Sequence, residues 1–167
     1  DLHSFPTRRS SDLWSLGVCT RKHRGGEMNS LEFTVFANKD IRPEELTELF
    51  GSVGWGEAAA YSMADVERSL AAYPFIAHAR DREGKLVGYI SAFCDGSFSA
   101  FIGELAVHPS VQRQGIGTAL LAKAEAYAGD VPIRINPFAG QEAFFSKRGY
   151  RSPARPVTYL FKKRSAA

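Results

Sequence analysis

Only two cysteines, Cys19 and Cys94, occur in the 167 residues. They share no spacing with other ligand types, so neither a disulfide framework nor a cysteine-built metal site is indicated. No apolar run reaches the length needed to cross a bilayer. Neither G-x-x-x-x-G-K-[ST] nor G-x-G-x-x-G occurs, so a P-loop or a dinucleotide fingerprint is not indicated. Charge of one sign is also scarce. Residues 1–27 carry five Lys/Arg and three Asp/Glu, which leaves 16 basic against 15 acidic residues in the rest, a net of +1. That balance gives nucleic acid or an anionic membrane no electrostatic footprint. What remains is a chain 44% hydrophobic and 23% charged, suited to one cytoplasmic globular domain with a full core.

His3-Ser4-Phe5-Pro6-Thr7-Arg8-Arg9-Ser10-Ser11-Asp12-Leu13 resembles the translation of a sequencing-library adapter. We therefore expect residues 1–27 to be a tail outside the fold, with Met28 as the start and 28–167 as a single domain. Within that domain Leu31–Phe36 alternates as a half-buried strand. Asp40 could cap a helix with Pro43, Glu44 and Glu45 in its first turn, running to about Phe50. A second helix reads from Met63 to Ala72 and stops before Pro74. Strands follow at Phe75–Arg80, Leu86–Phe93 and Ser99–Val107, joined by polar hairpin turns. A long alanine- and leucine-rich helix runs to Ala128 with Ile116, Leu120, Ala124 and Tyr127 on one face. A strand over Val131–Asn136, a short helix over Gln141–Arg148 closed by Gly149, and a last strand over Val157–Lys162 complete the chain.

The informative stretch is Gln112-Arg113-Gln114-Gly115-Ile116-Gly117, between the strand ending at Val107 and the helix that carries Thr118 to Ala128. The first N–H groups of a helix have no internal partner, and the helix dipole adds partial positive charge there. Gly115 and Gly117 lack a Cβ, so a phosphate can approach the backbone. Thr118 offers a hydroxyl and Arg113 a fixed charge. A strand ending Leu-Ala-Val-His-Pro, then Q-x-x-G-x-G, and then Ile135-Asn136-Pro137 to Tyr150, resembles the GNAT superfamily of acyl-CoA-dependent N-acyltransferases. The resemblance spans roughly Leu31 to Lys162 and is dense from Ser99 to Tyr150.

The resemblance implies an α/β fold with a mixed, mainly antiparallel sheet and helices on both faces. It implies acetyl-CoA as acyl donor, no metal, and direct transfer to a primary amine of a small molecule or peptide in a ternary complex. The turn Gln112 to Thr118 would hold the pyrophosphate. Leu105, Ala106 and Val107 would line the pantetheine arm in a wedge between two splayed strands, with Asn136 and Phe145 also at the cofactor. The Val107 N–H would bind the thioester oxygen, and one such donor contributes about 2.7–4 kcal/mol to an oxyanion.

An alkyl amine is less than about 0.1% neutral at pH 7, so a base must collect its proton. Glu104 is the one carboxylate in its apolar strand and is the candidate, with a solvent-facing or arginine-paired carboxylate as the plainer account. The tyrosine that often protonates the leaving thiolate in this family is replaced by Phe145, which cannot donate a proton. That leaves the acid open between Ser146, a water and unaided departure, and it sustains an alternative: a non-catalytic acyl-CoA-binding module. Trp55, with Tyr61 and Phe50, reads as an acceptor wall or as a packed loop anchor. His108 reads as a turn residue and Cys94 as a buried inert thiol. The oligomeric state is open between monomer and homodimer.

Overall fold

The computed structural model describes residues 32–155, 157, 158, 160 and 162. The expectations for the amino-terminal tail and for Leu31 lie outside the described residues. The chain divides into two compact units, residues 1–135 and 136–167.

The first unit is built on a five-stranded sheet in sequence order. Its strands are β1 (Phe33–Phe36), β2 (Phe75–Asp81), β3 (Leu86–Cys94), β4 (Ala100–Val107) and β5 (Ile133–Arg134). β1 to β4 pair antiparallel, and β5 lies parallel to β4. The parallel pair is joined by α3 (Ile116–Ala128), as a crossover demands. The mixed, mainly antiparallel sheet expected from the sequence is the sheet observed.

Helices cover both faces. α1 (Pro43–Ser52) and α2 (Met63–Ala72) pack on one, where Leu46, Leu49, Val66 and Leu70 meet Ile76, Leu86, Tyr89 and Ala106 in one buried cluster. α3 covers the other. A Cβ on Gly88 would come within 2.8 Å of Ile116 and 2.9 Å of Leu120, so glycine there lets the helix sit on the strands. Tyr127 adds a stacked contact with Phe75 at 4.6 Å.

The helix ends follow local chemistry with one correction. Asp40 does not cap α1. The N-cap is Arg42, immediately before Pro43, and its N–H is satisfied by the Glu45 carboxylate at 3.1 Å. Ser62 caps α2, accepting from the Asp65 N–H, and α2 ends at Ala72 as predicted, because a residue before proline avoids helical backbone.

The second unit holds α4 (Glu142–Ser146), shorter than the predicted Gln141–Arg148. Gly149 takes φ 88°, the left-handed backbone that glycine adopts freely, and the Tyr150 N–H bonds the Phe145 carbonyl at 3.3 Å. The last strand is not observed at Val157, Thr158, Leu160 or Lys162, which have no regular structure, and Val157 and Leu160 are exposed. Tyr159 and Phe161 lie outside the described residues.

Candidate active site

β4 carries the site because of how it leaves β5. The two strands pair only at Ala100–Ile133 and Phe101–Arg134, with one further bond from the Ala100 N–H to the Pro132 carbonyl at 2.9 Å. Among the described residues, β4 has no ladder partner on this edge beyond Phe101. Pro132 and Pro137 bracket the short β5, which explains why the predicted strand over Val131–Asn136 shrinks to two residues. Asn136 is therefore not a strand end.

A β-bulge sets which groups face that open edge. Ile90 pairs with Leu105 and Ala92 with Ile102, so Ser91 stands opposite both Gly103 and Glu104. Before the bulge, Ala100 turns its N–H to β5. After it, His108 donates to Val87 of β3 at 2.9 Å, so by alternation Leu105 and Val107 turn their backbone groups to the open edge. Without the bulge, Glu104 and Ala106 would stand there instead. Ala106, expected at the cofactor, is thus turned to β3, where it pairs with Tyr89 and is 2% exposed.

The turn beyond β4 has the expected form, with a shifted boundary. Pro109–Val111 makes a 3-10 turn started by His108, whose Nδ1 lies 2.7 Å from Ser110 Oγ, which fixes His108 as a turn residue. Gln112 points back, its side-chain amide donating to the Val107 carbonyl at 3.0 Å. Arg113 has φ 63° and Gly115 φ 91°, with Gln114 at negative φ between them. Alternating left-handed and ordinary backbone gathers successive N–H groups into an anion-binding concavity. α3 starts at Ile116, two residues earlier than predicted, with Gly115 as its N-cap, and the first i→i−4 bond is Ala119 to Gly115 at 2.9 Å. Gln112 to Gly115 are exposed, and a Cβ at Gly115 would meet nothing within 4 Å. A diphosphate therefore fits here on both space and polarity.

Glu104 sits on the α1–α2 face, half-buried. Tyr73 donates its hydroxyl to Glu104 Oε1 at 3.2 Å. Ser91, fully buried, donates to Oε2, and its Oγ accepts the Glu104 N–H at 3.1 Å. Gly103 makes the cluster possible: a Cβ there would overlap the Tyr73 hydroxyl and lie 2.8 Å from Ser91 Oγ. Burial, and then the Glu104 charge, push the Tyr73 phenol above its ordinary value. The same two causes raise buried Tyr89 further. Tyr73 and Ser91 were not read as site residues from the sequence. The available signal was Gly103 beside Glu104 inside a strand pattern, which marks a bulge or a close approach.

The other expected residues are placed as follows. Trp55 is half-buried against Phe50 at 5.2 Å, and Tyr61 donates its hydroxyl to the Trp55 carbonyl. Phe145 is buried in the second unit, edge-on to Phe144 and Tyr150. Cys94 is half-exposed rather than buried, because it ends β3 at the hairpin, where its Sγ accepts the Gly96 N–H at 3.3 Å. Among the described residues, no helix is long and apolar enough to cross a membrane.

The family model for the acetyltransferase (GNAT) family matches residues 39–150. The chain belongs to this family. It is 29% identical over 128 residues to an uncharacterized N-acetyltransferase of Pyropia yezoensis, covering 75% of this chain and 74% of that protein. A GNAT family acetyltransferase structure from Streptococcus pneumoniae aligns with TM-score 0.64 at 23% identity, over 78% of this chain and 99% of the other. An aminoglycoside N-acetyltransferase in complex with CoA aligns with TM-score 0.61 at 18% identity, over 78% and 95%. GNAT proteins are acyltransferases that use acetyl-CoA and act on amines. The splayed β4 edge and the turn before α3 both lie inside the matched residues.

Proposed function

We propose that this GNAT chain moves an acetyl group from acetyl-CoA to a primary amine of a small molecule or peptide, directly, in a ternary complex. The observation that carries the reading is the edge of β4 that, among the described residues, has no strand partner beyond Phe101 and runs into the left-handed turn before α3. That path suits an extended ligand with amides along one part and a diphosphate at its end. Leu105 and Val107 would bond the amide-bearing arm, the Val107 N–H would polarise the thioester carbonyl, and Ile116 and Gly117 would meet the diphosphate beside Arg113. Gln112 would act indirectly, since its amide is committed to the Val107 carbonyl.

Glu104 would take the amine proton. Both its oxygens accept from hydroxyls, each of which leaves the carboxylate a further lone pair for the amine. Calorimetry with CoA tests the binding half: heat on titration is expected, and a flat thermogram refutes it. Thiol release from acetyl-CoA with an amine panel tests the transfer half. The non-catalytic alternative draws on Phe145, a phenyl where a proton donor often stands in this family, and it expects saturable binding with no thiol release for any amine.

A further inference from the structure

The Phe145 ring leaves the departing thiolate without the hydroxyl that the family often supplies from that segment. A different hydroxyl stands at β4. Tyr73 ends α2, and its Oη rests on the backbone of Gly103 while donating to Glu104. Gly103 and Leu105 are two residues apart, roughly 7 Å along a strand. Leu105 begins the open edge, so Tyr73 stands at the inner end of the path on which the CoA arm is placed above. Ser91 and Tyr89 are the other hydroxyls near Glu104. They are 0% and 1% exposed, whereas Tyr73 is half-buried and keeps part of its surface exposed.

We propose that Tyr73 is the catalytic acid of this site and that Glu104 reloads it. As the nitrogen of the neutral amine, whose ammonium proton has already gone to solvent, bonds the acetyl carbon, one of its N–H protons passes to Glu104. As the C–S bond breaks, its electron pair stays on sulfur, and the Tyr73 O–H proton moves to that sulfur. The proton on Glu104 then crosses the hydrogen bond to the Tyr73 oxygen, which restores the phenol and the carboxylate. One N–C bond forms, one C–S bond breaks, and the free thiol leaves with no net change in the protein. Burial and the neighbouring carboxylate keep Tyr73 protonated until the sulfur demands its proton. The absence of a Cβ at Gly103 is what lets the hydroxyl lie against the strand and reach Glu104.

This inference rests on the acetyl-CoA reading, and the experiment separates the two. CoA with a free thiol is bound to the full chain, and the bound thiol is titrated by its thiolate ultraviolet absorbance. A hydroxyl aimed at the sulfur stabilises the thiolate, so the bound thiol should titrate about one pH unit lower in the wild type than in Tyr73→Phe. Fluorotyrosine at position 73, a stronger acid of nearly the same size, should move the wild-type titration lower still, and it stands in should Tyr73→Phe fold poorly. Titrations that are indifferent to all three side chains overturn the assignment of Tyr73 alone. Absence of CoA binding to the wild type overturns both readings. A purely structural Tyr73 would change melting temperature without moving the thiol.

Discussion

Glu45 and Glu104 are both largely withdrawn from solvent, and they are held in opposite ways. Glu45 is gripped by Arg80, with Nη1 2.8 Å from Oε1 and Nη2 3.1 Å from Oε2. The guanidinium also donates to the carbonyls of Gly84 and Asp40, so it ties the start of α1 to the β2–β3 turn. That clamp holds Glu45 down to about 2. Glu104 is held by two neutral hydroxyls, Tyr73 and Ser91, and makes no ion pair among the described residues. A bidentate cation fixes a carboxylate as a permanent anion and makes it a brace. Hydroxyls orient a carboxylate without supplying a permanent counter-charge. Burial alone therefore does not distinguish the two carboxylates; their partners do.

The sharpest way to break this contrast is to remove each carboxylate in turn. Glu104→Gln should lower kcat by about 10²–10⁴-fold with CoA affinity unchanged, whereas Glu45→Gln should leave kcat per folded molecule intact. Steady-state kinetics beside CoA calorimetry would decide, and equal losses from the two variants would erase the distinction. Next in size is Gly103→Ala. The added methyl overlaps the Tyr73 hydroxyl, so stability should fall by about 1–3 kcal/mol. Displacing Tyr73 from Glu104 should also cost about a hundredfold in kcat. Denaturant unfolding and kinetics read the two effects separately.

Arg80→Met tests the brace. Glu45 has a folded value depressed from 4.5 to about 2, so its stabilisation is present above pH 4.5 and is lost as pH falls toward 2. The variant should be less stable by about 1–2 kcal/mol at pH 7, solvent screening included, and the gap should close across that window. A gap that persists at pH 2 would assign Arg80's contribution to packing instead. The smallest effect is expected from Ser91→Ala, which removes one of the two hydroxyls on Glu104. It should destabilise by about 1 kcal/mol and lower kcat modestly, since Tyr73 still orients the carboxylate. A kcat loss matching that of Glu104→Gln would make Ser91, not Tyr73, the principal support.

Legibility in the sequence followed range. Ser62, the apolar pair Val66 and Leu70, and Pro74 bound α2 by rules that act within one turn, and its span Met63–Ala72 was read correctly. α1 was read less well because its cap is a carboxylate reaching back from Glu45, with the Arg42 side chain exposed and Asp40 left outside. β5 was overextended because flanking prolines and the divergence of β4 outweigh strand propensity. Glu104 was singled out as the lone carboxylate in an apolar strand, but its partners were not. Tyr73 is 31 residues away and Ser91 is 13, and no periodicity joins them.

By itself the sequence determined the strand, the glycine turn and the helix after it, though not the helix's first residue. Each of these depends on backbone dihedrals and on donors within a few residues of one another. Only the tertiary structure decided which groups of β4 face the open edge and which hydroxyls hold Glu104. One extra residue opposite Ser91 exchanges the two edges of the strand. Strand alternation has a period of two, so a shift of one residue reverses every assignment beyond it, and that shift is fixed only in the pairing with β3, even though Gly103 hints at it.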